Sequence, residues 1–151
     1  MIDKSIPDIY SLIQELAWHF GNRGFNGECC RDLSLVEFMA LKRICGNQNL
    51  TVQELGNALY FSKSGATRIV DRLEVKEYIK REQSARDGRI CCVIPTARSL
   101  EVIESVMEQY TAYLGEILAD FDSDTLDQIR NTLEVLVKSI QKQGGRDNEE
   151  N

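Results

Sequence analysis

Residues 50–96, LTVQELGNALYFSKSGATRIVDRLEVKEYIKREQSARDGRICCVIPT, decide the fold. Thr51-Val-Gln-Glu54 is a capping box, a hydroxyl capping the first turn and a glutamate reaching back. A short helix therefore opens there, with Val52, Leu55 and Leu59 inward. Ser62 can cap a second one. Ala66, Ile69, Val70 and Leu73 fall on one side of it, and Lys63, Ser64, Thr67, Arg68, Asp71 and Arg72 lie on or near the other. Tyr78–Arg81 and Ile90–Ile94 are short β-like runs, and QSARDGR between them can turn at Asp87-Gly88. The stretch predicts helix, tight turn, helix, and a two-stranded hairpin with a charged tip. A short helix held by its neighbours, polar and basic on its outer face, has the form of a DNA-reading element.

Helical period continues on both sides. Ile6, Ile9, Leu12, Ile13, Leu16 and Phe20 recur at spacings of three and four, with Pro7 in the first turn where its missing N–H costs nothing. Residues 21–32, GNRGFNGECCRD, read as a glycine-rich loop. Ser34-Leu-Val-Glu37 is another capping box, opening a helix with Leu35, Phe38, Leu41 and Ile44 inward and Gly46 at its end. A long helix is expected from Ala97 to about Ala119. A last one is capped by Asp122 or Ser123 and stopped by Gly144-Gly145. The outer helices are strongly apolar, lie far apart in sequence and make a poor monomeric core, but they suit a dimer interface. The expected organisation is dimerisation helices in 1–33 and 97–143, a reading head in 34–96, and a disordered tail in 144–151.

The chain has 151 residues, a size for one domain or one subunit of an oligomer, and a net charge of -6. The distribution qualifies that sum. Residues 62–98 hold nine basic and five acidic side chains, a balance of +4, which leaves -10 on the remainder. A basic surface on an acidic frame suits DNA binding that is specific, because the frame repels phosphate elsewhere. No apolar run is long enough to span a membrane and the N-terminus lacks the pattern of a secretory signal, so the expected compartment is the cytoplasm. No nucleophile with a base at readable spacing and no phosphate-binding glycine loop is present, so the chain does not read as an enzyme. His19 is the only histidine, too few for a zinc cluster.

The order and the residues together resemble the MarR family of winged helix-turn-helix transcriptional regulators. The resemblance rests on Leu50-Thr51 with Glu54-Leu55, then Ser62-Lys63-Ser64, Thr67-Arg68, Asp71-Arg72-Leu73-Glu74 and Ile79-Lys80-Arg81. It extends to Arg86-Asp87-Gly88-Arg89, which fits the family's Asp-x-Arg wing motif, and to Thr96 before the next helix. It implies a mainly α winged-helix fold in an obligate dimer. It further implies a recognition helix in the major groove of a double-stranded, pseudo-palindromic operator, with the wing along the adjacent minor groove. Carried onto this chain, the DNA contacts are Ser62, Lys63, Ser64, Thr67, Arg68 and Arg72 on the helix, and Ser84, Arg86 and Arg89 on the wing. Asp87 is expected to brace the wing by pairing with an arginine.

Two residues depart from the family pattern. Glu77 stands where a glycine usually closes the recognition helix in a left-handed turn. A glutamate tolerates positive φ poorly, by about 1 kcal/mol, so a different exit is expected. Pro95 replaces a leucine and cannot donate a ladder bond, so the second wing strand should end there.

The resemblance implies regulation, most simply repression, responsive to a ligand or stress. It requires no cofactor, and the implied effector is a small phenolic or aromatic carboxylate in a cleft that Trp18, Phe25, Phe38, Tyr110 and Tyr113 could line. The five cysteines leave three readings open. They are buried small hydrophobes, or Cys29-Cys30 is a redox sensor beside Arg31, or that pair chelates a soft metal ion. The rival from another class is a dimeric winged-helix interaction module that no longer reads DNA, supported by Glu77 and the net acidity.

Overall fold

The computed structural model describes residues 3–21 and 31–149, the side chains of 146–149 excepted. These form six helices and one small sheet: α1 Ile6–Gly21, α2 Leu35–Gly46, β1 Leu50–Thr51, α3 Val52–Leu59, α4 Lys63–Val75, β2 Ile79–Gln83, β3 Cys91–Pro95, α5 Ala97–Ile117 and α6 Ser123–Glu149. The mainly α winged-helix architecture is the expected one. Both capping boxes form with both bonds: Ser34 with Glu37, and Thr51 with Glu54. Ser62 caps α4 by accepting the Gly65 N–H, and Asp122 accepts the Thr125 N–H at the start of α6. Each cap satisfies an amide that the helix itself leaves without a partner.

The expected two-stranded hairpin is instead an antiparallel three-stranded sheet in the order β1-β3-β2. Leu50 pairs with Val93 and Thr51 with Cys92, while Ile79 to Gln83 pair with Pro95 to Cys91. A two-residue strand is too short to show alternation, so β1 left no periodic signal. The second wing strand does end at Pro95.

The core lies between the head and the first half of α5. Leu41 of α2, Leu55 of α3, Val70 and Leu73 of α4, Ile79 and Val93 of the sheet, and Val102 and Val106 of α5 are sealed together. Burial of each such side chain contributes roughly 1.5–3 kcal/mol. Gly56 lets α3 and α4 cross closely: a Cβ there would stand 3.1 Å from that of Ala66 and 3.3 Å from the Phe61 carbonyl oxygen.

The exit of α4 corrects one expectation. Glu77 takes the left-handed conformation, φ 61°, that a glycine would hold. Tyr78 N–H donates to Leu73 O and Glu77 N–H to Glu74 O, both at 2.9 Å, the two-bond closure of a Schellman turn. Surrounding bonds hold the strained residue. Thr96 Oγ1 donates to the carbonyls of Glu77 and Tyr78, and Arg98 donates to that of Lys76. The exit therefore takes the left-handed closure that the resemblance implies for a glycine, with a glutamate in its place.

Gly144-Gly145 does not stop the last helix, which runs on to Glu149 and takes in most of the segment expected to be a disordered tail. A glycine costs a helix interior about 1 kcal/mol, a penalty and not a prohibition.

Candidate nucleic-acid interface

The turn between α3 and α4 sets the direction of α4. Tyr60, φ 58°, closes α3 with the same pair of bonds seen at Glu77, Tyr60 N–H to Asn57 O and Phe61 N–H to Gly56 O. The chain then straightens into Ser62, and α4 begins. Its apolar side, Ala66, Ile69, Val70 and Leu73, is buried as expected. The opposite side leaves Lys63, Ser64, Arg68 and Arg72 exposed and Thr67 half-buried.

The hydroxyls on this face are already engaged. Ser62 Oγ caps Gly65 and lies 3.2 Å from Ser64 Oγ, while Thr67 Oγ1 donates to the Lys63 carbonyl. The cations differ from one another. Arg81 of β2 is tied down, ion-paired to both Asp71 and Glu74 of α4. These carboxylates hold its guanidinium charged, raising it above its usual range against the opposing effect of burial. Lys76 is paired to the buried carboxylate of Glu37 at 2.9 Å, and Arg98 lies 3.6 Å from Asp32 and 4.5 Å from the centre of the Tyr78 ring. By contrast, the side chains of Lys63, Arg68 and Arg72 make no ion pair with any described residue.

In the wing, Ser84 N–H donates to Ile90 O and Ile90 N–H to Asp87 O, closing the loop between β2 and β3. Ser84 Oγ accepts the Arg86 N–H at 3.2 Å, and Asp87 Oδ1 accepts the Arg89 N–H at 3.0 Å. Asp87 thus braces the tip through the backbone of an arginine and not through a guanidinium, a correction of the expected pairing. The Arg86 and Arg89 side chains point to solvent without an ionic partner among the described residues. The role expected of Asp87 falls to Arg81, which ties β2 to α4. Its partners lie seven and ten positions away, a separation that no helical or strand period marks.

Cys29, Cys30 and Phe25 lie outside the described residues. Cys92 is buried and Cys91 half-buried, and Val93 beside them is buried as well, so the strand does not alternate cleanly between an inner and an outer face. Cys45 packs against the core, where burial pushes its thiol up despite a contact with Ser99. It is a packed thiol, not an activated one. Phe38 is in the core, Trp18 is 65% exposed, and Tyr113 meets Phe20 edge-on with ring centroids 6.5 Å apart. The expected aromatic residues thus stand in different surroundings. Among the described residues, no group of three His, Cys, Asp or Glu could hold a metal, and no helix is long and apolar enough to cross a membrane.

A capped helix pair, a recognition-type helix and a three-stranded wing define a winged helix-turn-helix protein. Residues 31–90 match the model of the MarR family, and the chain shares the winged-helix fold of that family's solved structures. It is similar to the transcriptional repressor MprA of Escherichia coli K12, 30% identical over 112 residues that cover 71% of this chain and 64% of that one. The chain therefore spans a little under two thirds of that relative's length. Its fold matches a MarR protein from Peptoclostridium difficile with a TM-score of 0.77 at 23% identity, over 97% of this chain and 96% of the other. It also matches an S. aureus MepR variant bound to an oligodeoxyribonucleotide, with a TM-score of 0.62 at 14% identity, over 91% and 99% of the two chains.

Proposed function

We propose that this chain is a ligand- or stress-responsive transcriptional regulator that binds a pseudo-palindromic DNA operator as a homodimer and represses transcription. One observation carries the reading. The cations on the outer face of α4 and at the wing tip stand exposed with no ion pair among the described residues, while three cations that pack beside them, Arg81, Lys76 and Arg98, are tied to acidic groups. An exposed cation left free is available to phosphate or to a guanine edge. Lys63, Arg68 and Arg72, with Ser62, Ser64 and Thr67, face the major groove in this reading. Ser84, Arg86 and Arg89 follow the neighbouring backbone and minor groove. The relatives that are repressors, and the similar fold seen on an oligodeoxyribonucleotide, favour the same reading.

The dimer assigned here uses α1, α5 and α6, with half-sites centred about one helical turn, roughly 34–36 Å, apart. An effector that favours another separation of the heads releases the operator by shifting populations. Cys29-Cys30 is the candidate sensory pair, from its glycine-rich loop and the adjacent Arg31.

The test is a binding titration on duplexes enriched from a randomised library, repeated across salt concentrations. The expected log–log slope is steep, about -0.9 per phosphate neutralised. Arg68→Ala should weaken binding by about 1–3 kcal/mol. A flat salt response, or an unchanged affinity in the variant, rejects the reading. Repeating the titration with peroxide or a soft metal, on wild type and on Cys30→Ser, tests the sensor.

A further inference from the structure

Two residues hold the left-handed conformation at the exits of the paired helices, and they are secured differently. At Glu77 the bonds come from Thr96 and Arg98 onto backbone carbonyls. At Tyr60 the side chain itself makes the tie. Its hydroxyl donates to the carbonyl oxygen of Gln141 in α6 at 3.0 Å. Its ring sits on Gly144, where an added Cβ would stand 2.7 Å from Cε1 and 2.9 Å from Cδ1 and Cζ. No side chain fits that gap unless the ring moves away. The adjacent Gly145 faces open space within 4 Å. Glycine is the poorest helix former after proline, and at position 144 the structure supplies a reason for it: the glycine is the seat of a ring.

The tie falls at a mechanically sensitive point. Tyr60 stands two residues before Ser62, the cap of α4. The head joins the rest of the chain chiefly through α2 and β3 packed on α5. A body attached along one junction can still rotate about it, and a second attachment on another helix removes that rotation. We infer that Tyr60, seated on Gly144 and hydrogen-bonded to Gln141, is a positioning residue that fixes α4 against α6. It thereby restricts the half-site spacings that the protein accepts. The inference rests on the reading that the chain binds DNA as a homodimer through its outer helices.

Paired variants test it. Gly144→Ala places a methyl group where the ring sits. Gly145→Ala gives the helix the same gain in propensity with nothing displaced, so the two differ only in the tie. Two measurements are made on each full-length chain. One is amide hydrogen exchange at Tyr60 and Phe61 in the free protein. The other is the affinity ratio between a duplex enriched by the wild type and the same duplex with a single base pair inserted between its half-sites. Gly144→Ala should speed that exchange about three- to tenfold, the range for loss of one hydrogen-bonded contact, and flatten the affinity ratio by a similar factor. Gly145→Ala should alter neither. Identical behaviour of the two variants, or faster exchange with an unchanged ratio, overturns the inference. If the wild type enriches no duplex, the DNA-binding reading fails and the positioning role fails with it. The exchange data would then still show whether the tie itself exists.

Discussion

In the head, Leu41, Leu55, Val70, Leu73 and Val93 are fully buried, whereas Ile9, Leu12 and Leu16 of α1 and Leu133, Val137 and Ile140 of α6 are between 44% and 65% exposed. Both sets follow the helical or strand period of a buried face. The difference shows that periodicity reports an apolar stripe and not what covers it. In the head, neighbours close in sequence do the covering. Along α1 and α6 the stripe is left open within the chain, which is the form of surface that a second copy would close.

That contrast can be broken from either side. The largest effect is expected in the head. Leu73→Ala removes a buried side chain from the centre of the core and should cost about 2–5 kcal/mol in urea unfolding, independent of protein concentration. On the other side, Leu133→Glu should leave the head folded and weaken self-association by about 2–3 kcal/mol, on the order of a hundredfold, in sedimentation. Unchanged association would remove the outer helices from the interface.

Alkaline pH sharpens the comparison. Burial, reinforced by a hydrogen bond to Asp32 and its charge, raises the Tyr78 hydroxyl from 10.0 to about 12. The native state thus keeps a proton that the unfolded chain releases, so stability present below pH 10 is lost as the pH rises towards 12. The expected fall is on the order of 2 kcal/mol, and Tyr78→Phe should abolish it. The smallest effect belongs to Glu77→Gly. It relieves the left-handed strain and gives a gain of at most about 1 kcal/mol, since the glycine also loosens the unfolded chain. A loss at that position would mean that the glutamate side chain contributes more than its strain costs.

Much of the head was legible in the sequence because its signals are local. Ser34-x-x-Glu37 and Thr51-x-x-Glu54 specify helix starts within four residues, and each formed both of its bonds. The faces of α4 followed from period alone. What escaped depended on distant partners. Strand β1 exists because Val93 and Cys92 lie beside it. Arg81 became a brace because the turn at Glu77 brings β2 back along α4. The Gly144-Gly145 pair read as a stop because its local penalty was visible and its contact with Tyr60 was not.

Thr51 illustrates a constraint that neither element reveals alone. It is the last residue of β1, paired with Cys92, and its hydroxyl caps α3 by accepting the Glu54 N–H at 3.0 Å. A strand favours a branched β-carbon, and a helix cap needs a side-chain oxygen within reach of the first-turn amides. Valine meets the first demand and fails the second, and serine does the reverse. Threonine alone among the twenty meets both, so the tolerance of this site to replacement should be far narrower than its half-exposed surface suggests.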